Sequence, residues 1–430
     1  MRLTVHRKQG KLNLRQLLIG VLVIWPFFES MWVQLRVTAG LFYGFPLVLL
    51  AAAAVIAVIC FGKLYQNILL VWLIFYAVTL LLSWKSNFRV FITDFAVSFS
   101  SWLICYTAGR RNVNYETVNK IVRRVGIINA FAVILESTTH IISRVIAPLL
   151  YTRFAIGKIA VKSGILSKGL FPYSSYTGCF LVPGLLAFLV SYRGKKKNAY
   201  FWVIIAMFSL GLLLINKRGF ILDIAISLLV VFFVSRQSEG RMKLKLNRVL
   251  LIVISILIII GVLFAVYMSV PLVRQAVNHV ADKFADDDGT LSGRTELYAL
   301  ALRLFKQHPI IGIGWGNFRE QSLHVYTETN SNTYEVHNVF LQLLCETGIV
   351  GLAAFLVAVI SLLVYTIKRF LRVNAANRDS TASKALRLSM YLQLFFITYC
   401  FSGNPLYDYV FVVTYFIGIV LLGVNEREYA

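Results

Sequence analysis

The stretch HNVFLQLLCETGIVGLAAFLVAVISLLVY, residues 337–365, decides the fold class. A histidine and an asparagine lead directly into an apolar run longer than the roughly 20 residues that cross a bilayer. Within it Asn338, Gln342 and Glu346 recur at i, i+4 and i+8, a single polar stripe along the outer half of a helix. A charged side chain at the centre of a membrane helix costs about 2.5–3.5 kcal/mol on insertion scales. The stripe is therefore expected to face the bundle interior, with His337 capping its external end. Imidazole is a natural proton acceptor near neutral pH, so His337 is the first candidate for chemistry. Gly348 and Gly351, further along, predict close approach of a neighbouring helix.

The remainder of the chain has the same character. Of 430 residues, 58% are hydrophobic and only 14% charged, with mean hydropathy +0.74. Such a composition excludes a soluble protein and predicts an all-α, polytopic membrane protein forming one integral domain over 1–430. Apolar runs predict twelve spans near 16–34, 41–60, 64–83, 89–108, 120–138, 174–192, 199–216, 219–235, 248–269, 338–366, 386–402 and 405–424. With the N-terminus in the cytoplasm, 27 of the 43 Lys and Arg residues fall in cytoplasmic segments, which predicts cytoplasmic N- and C-termini. The net charge of +24 is thus read as topology-setting, and no nucleic-acid partner is expected. The first span lacks a small-residue cleavage site and is expected to stay as an anchor. The five cysteines lie within or at the edges of spans, in no metal-ligand spacing, and are read as packing residues.

Two external loops carry the remaining polar content. The segment 139–173 contains Arg144, Arg153, Lys158, Lys162 and Lys168 without an acidic residue, and suits anionic headgroups or a pyrophosphate-linked substrate. The 67-residue segment 270–336 is nearly balanced, with eight acidic and six basic residues. In it Leu297, Leu300, Ala301, Leu304 and Phe305 recur at helical spacing behind Ser292-Gly293, and Pro309 ends the helix. This helix is expected to cover a cavity from above. The following Gly312-Ile313-Gly314-Trp315-Gly316 lacks the strand, lysine and βαβ context of a nucleotide loop, and predicts close backbone approach instead. Asp286-Asp287-Asp288 lacks the alternation of a calcium loop, so no metal is expected. Between the seventh and eighth spans, Lys217-Arg218 occupies an external hairpin so short that two cations there oppose the local charge bias. A guanidinium matches phosphate oxygens bidentately, which makes Arg218 a candidate anion ligand.

The series Arg294, Pro309, Gly312-Ile313-Gly314, His337-Asn338, Gly348 and Gly351 resembles the O-antigen ligase/polymerase family (WaaL- and Wzy-type membrane glycosyltransferases). That family's pattern of His, then Asn, Ser or Gln, nine residues, Gly, two residues and Gly is met from His337 to Gly351. Asn216-Lys217-Arg218-Gly219 is similar to its Ser-x-Arg-Gly hairpin, with Asn at the first position. The motifs cover 216–351.

The resemblance implies a GT-C-like helical glycosyltransferase at the outer face of the bacterial cytoplasmic membrane. Its donor is a glycan on undecaprenyl pyrophosphate, and it needs no cofactor. An acceptor hydroxyl attacks the anomeric carbon and lipid pyrophosphate leaves. His337 is then the general base or positioning group, and Arg218 with Arg294 stabilises the leaving pyrophosphate. Lys217, Asn338, Gln342, Glu346, Arg319, Lys158 and Lys162 make up the expected substrate-binding set. A polymerase extends another lipid-linked repeat unit, with a chain-length regulator as a conceivable partner; a ligase delivers the glycan to lipid A core or another terminal acceptor. Polymerase is favoured because surface polysaccharides occur in both envelope types. A flippase or transporter is the competing class, disfavoured because the dominant loop lies outside, after the ninth span.

Overall fold

Asparagine, serine and aspartate set where the helices begin. In the computed structural model, which describes residues 13–35, 44–62, 67–110, 112–159, 167–192, 196–238, 292–323 and 334–425, the helices are α1 (Leu14–Trp32), α2 (Phe45–Phe61), α3 (Val71–Leu81), α4 (Phe88–Tyr106), α5 (Tyr115–Thr139), α6 (Ala147–Leu150), α7 (Arg153–Ile159), α8 (Ser174–Ser191), α9 (Ala199–Leu214), α10 (Arg218–Ser238), α11 (Ser292–Gln307), α12 (Phe318–Gln321), α13 (Val339–Ala376), α14 (Thr381–Tyr399) and α15 (Tyr409–Val420). Side chains of Asn87, Asn114, Asn198, Asn338, Ser380 and Asp408 each accept a hydrogen bond from a backbone N–H in the first turn of the helix that follows. No named strand occurs among the described residues.

A helix lies at each expected span except the ninth, 248–269, which falls outside the described residues, as do Lys162 and Asp286-Asp287-Asp288. By length and apolarity, five described helices qualify to cross a membrane: α1, α4, α8, α10 and α13. A sixth is added if α5 and the bent helical segment 142–150 count as one span, against the twelve predicted from apolar runs. The difference has physical causes. α2, α9 and α15 are shorter than their apolar runs, and α3 is completed by a 3₁₀ turn at Ile68–Leu70. α14 carries Lys384 and Arg387 but is sheathed by protein along most of its length, so it needs less lipid-compatible surface.

Packing follows small residues and aromatic rings. Gly126 of α5 meets Gly184 of α8, where a Cβ on either would lie 2.5 Å from the other's Cα. Trp72 of α3 sits fully buried among Phe355 of α13 and Tyr415 and Phe416 of α15. At one end of the bundle, Arg387 is buried, donates to Ser235 Oγ at 2.7 Å and Asn374 Oδ1 at 3.2 Å, and lies over Phe370. Near it Arg369 donates to the carbonyls of Leu422 and Val424. The opposite end gathers the loops.

The basic segment 139–173 is partly helical rather than an open tether. His140 adopts φ 57°, and the chain bends by 86° into a π-helical turn (Ile142–Ile146) and α6. Glu136 fixes the bend by accepting from the backbone N–H of Ile142 (2.8 Å) and Ser143 (3.1 Å). The segment then returns to the end of α1, where Thr152 N–H donates to Gln34 O at 2.8 Å. Arg144 and Arg153 are exposed.

Candidate functional site

Gly348 breaks α13. Its φ of 65° and ψ of −168° are non-helical, so carbonyls before it and N–H groups after it lose partners within the helix. The glycine-rich segment 309–314 supplies them. Ile313 N–H donates to Cys345 O at 2.9 Å and Gly314 N–H to Glu346 O at 2.8 Å, while Ile349 N–H donates to Pro309 O at 2.9 Å. A Cβ on Gly348 would collide with Ile310 O, and one on Gly312 with the Glu346 carbonyl. Both glycines have positive φ, so their conformation and their lack of side chain are both required. The expected close approach is real, but its partner differs from expectation. Gly348 admits a loop rather than a neighbouring helix, and Gly351 faces Thr347 of its own helix.

The same segment is clamped on its other side. Trp315 Nε1–H donates to Asp94 Oδ2 at 2.8 Å, its backbone carbonyl accepts from Asn87 N–H at 2.9 Å, and its ring stacks on Tyr407 at 4.5 Å. Asn317 Nδ2 donates to Lys85 O at 2.7 Å. Glu346 is fully buried and accepts from Phe318 N–H at 3.2 Å. α11 lays Leu297, Ala301 and Leu304 against Phe318, Val336 and Cys345, so its apolar face covers the loop and the mouth of α13.

This scaffold presents His337 in a left-handed turn, φ 58°. Asn338 caps α13 by accepting from Leu341 N–H and donates to Phe401 O at 3.3 Å, and Val339 N–H donates to Cys400 O at 2.9 Å. Behind the turn, Asn404 Nδ2 donates to Glu335 Oε2 and to Gln342 Oε1, each at 2.8 Å. Glu335 forms an ion pair with Arg319. Burial lowers the Arg319 guanidinium, but Glu335, Asp94 and Glu346 together outweigh it and hold it above the ordinary arginine value.

The cationic hairpin docks beside this turn. Asn216 takes φ 50°, Phe220 is buried against Tyr399, and a Cβ on Gly219 would lie 3.3 Å from Ser402 Oγ. Because Asn338 bonds the neighbouring Phe401, the hairpin and the histidine turn share the 399–402 turn. Lys217 and Arg218 are exposed, Arg294 half-buried at the start of α11. His337 is open to solvent on one side and crowded by protein on the others. That crowding pushes its imidazole below the ordinary histidine range; Arg294 and Lys217 push the same way, and Glu335 opposes them. The group is therefore a neutral base at pH 7.

The architecture thus brings Lys217, Arg218, Arg294, His337 and Asn338 to one end of the bundle. Gln342, Glu346 and Arg319, named in the expected substrate-binding set, each have partners within the protein: Gln342 accepts from Val336 N–H and Asn404, Glu346 anchors the loop, and Arg319 pairs with Glu335. Sequence reading passed over Glu335, Asn404 and Asp408. Asp408 caps α15 at 3.1 Å from Val410 N–H. The available signal was the polar run Ser402–Asp408 in a turn between two apolar runs. Among the described residues no group of His, Cys, Asp and Glu is arranged to hold a metal.

Residues 201–356 match the family model described as O-antigen ligase. That stretch is similar to the O-antigen ligase family. The matched region runs from α9 through the hairpin, α11, the glycine-rich segment and the broken first half of α13, so it contains both His337 and the glycine that breaks its helix. The turn at 399–408, which bonds the histidine turn and packs on the hairpin, lies beyond the match. No curated protein matches the chain.

Proposed function

We propose that the protein is a surface-polysaccharide polymerase, a glycosyltransferase that moves a glycan from undecaprenyl pyrophosphate onto another lipid-linked repeat unit. It works as a multi-pass, GT-C-like protein at the outer face of the bacterial cytoplasmic membrane, with both termini inside. The observation that carries this reading is a histidine in a left-handed turn at a helix mouth, which shares the 399–402 turn with the Lys217-Arg218 hairpin. The acceptor hydroxyl gives its proton to His337 while its oxygen attacks the anomeric carbon. The bond to the pyrophosphate oxygen breaks, and the leaving group carries the electron pair away. Arg218, with Lys217 and Arg294, neutralises the charge that collects there. The basic segment 139–173, with Lys158 and Lys162, holds the anionic end of the carrier at the surface.

Purified protein incubated with an undecaprenyl-pyrophosphate repeat unit tests the reading. A ladder of longer lipid-linked glycans without any other acceptor is the expected result. Product only after addition of a lipid A-type acceptor makes the protein a ligase, and no glycan transfer under either condition removes the proposal.

A further inference from the structure

Glu335 has a place that the transfer chemistry alone does not explain. A carboxylate beside a pyrophosphate site repels the donor, so holding one there weakens donor binding unless it serves another purpose. Yet Glu335 joins three separate segments: Arg319 at the end of the glycine-rich loop, Asn404 between α14 and α15, and the residues leading into His337. The turn it precedes is unfavourable, since a non-glycine residue in a sparsely populated backbone region persists only where its surroundings hold it. Those restraints are the Glu335 links on one side and the Asn338 and Val339 bonds to the 400–401 turn on the other.

We propose that Glu335 is a positioning residue for glycosyl transfer, which fixes the His337 turn through Asn404 and Arg319 and supplies negative charge beside an imidazole otherwise faced by cations. The proposal rests on the functional reading above. The charged and titratable groups around the turn are Arg294 on α11, Lys217 and Arg218 on the hairpin, Tyr399 and Cys400 at the end of α14, and Glu335 with its partner Arg319. Among the described residues that act on the imidazole, Glu335 alone favours its protonated form.

The test uses full-length protein in lipid nanodiscs, with Glu335→Ala, Glu335→Asp, Glu335→Gln and His337→Ala. Turnover is followed against pH with the lipid-linked repeat unit, and acylation of His337 by diethyl pyrocarbonate is followed against pH by mass spectrometry. Glu335→Ala is expected to lower kcat by up to about 100-fold with little change in KM, as a displaced base does, and Glu335→Asp to recover part of that loss. Glu335→Gln keeps a side chain able to accept from Asn404. It is expected to restore most of the rate while moving both the acidic limb and the acylation curve to lower pH. A Gln variant whose acidic limb and acylation curve coincide with wild type overturns the proposal, whatever its rate. If His337→Ala turns over normally, the functional reading falls and the positioning role with it, whereas an inactive His337→Ala beside an unshifted Gln variant sinks the positioning role alone.

Discussion

The two ends of the bundle use the same residue types to opposite purpose. At one end Arg387 and Arg369 are consumed by the fold: their donors meet Ser235, Asn374 and the carbonyls of Leu422 and Val424. At the other, Lys217 and Arg218 stand exposed on a hairpin, and Lys217 and Arg294 act on an imidazole held in a left-handed turn. A buried guanidinium with its hydrogen bonds made is architecture. An exposed cation near a histidine held in a left-handed turn is what a candidate site offers. What separates them is burial: Arg387 is enclosed by protein, whereas Lys217 and Arg218 are open to solvent.

The sharpest way to break the contrast is at the backbone of the site itself. Gly348→Val forces a branched side chain into Ile310 O at positive φ, and is expected to abolish both transfer and the monodisperse elution of the purified protein. Next comes the chemistry: His337→Ala is expected to lower turnover by roughly 10²–10⁴-fold with elution and thermal unfolding unchanged. Wild-type turnover in that variant would remove the imidazole from the mechanism. Arg387→Ala addresses the opposite end. It is expected to cost about 1–3 kcal/mol of stability by stranding buried partners, seen in thermal unfolding, while activity per folded molecule stays at wild type. A fall in intrinsic turnover would erase the distinction between the ends.

Acidity separates the ends more gently. Because the His337 imidazole binds its proton less readily folded than unfolded, the neutral base persists as pH drops through the ordinary histidine range. Turnover should therefore hold to pH values below 6.5 before falling, and the same group subtracts stability as pH falls through that range. Arg387→Ala should leave this profile in place. The smallest expected effect is Asn198→Ala, which removes the cap of α9 on the side away from the site; about 1 kcal/mol of stability is expected to go, with no change in the pH profile.

Much of this was legible in the residues. Apolar runs marked where the described helices lie, because backbone groups in hydrocarbon have few other solutions. Cap residues sharpened several helix starts. His337-Asn338 and Lys217-Arg218 announced themselves as polar groups in costly places. Glu335 and Asn404 did not, because their significance depends on contacts 69 residues apart in sequence, which no periodicity encodes. Gly348 misled for a related reason. A glycine in a membrane helix reads as a helix–helix contact, and only the hydrogen bonds to Pro309 and Gly314 reveal a break. Gln342 and Glu346 were correctly placed on an inward face, but the face meets the protein's own loop.

That loop has a consequence for how the chain is built. The groups exposed by the break in α13 are satisfied by residues 309–314, which precede the helix in the sequence and so leave the ribosome first. The template for an irregular stretch is thus already made when the stretch itself arrives, so the order of synthesis matches the order in which the backbone needs its partners.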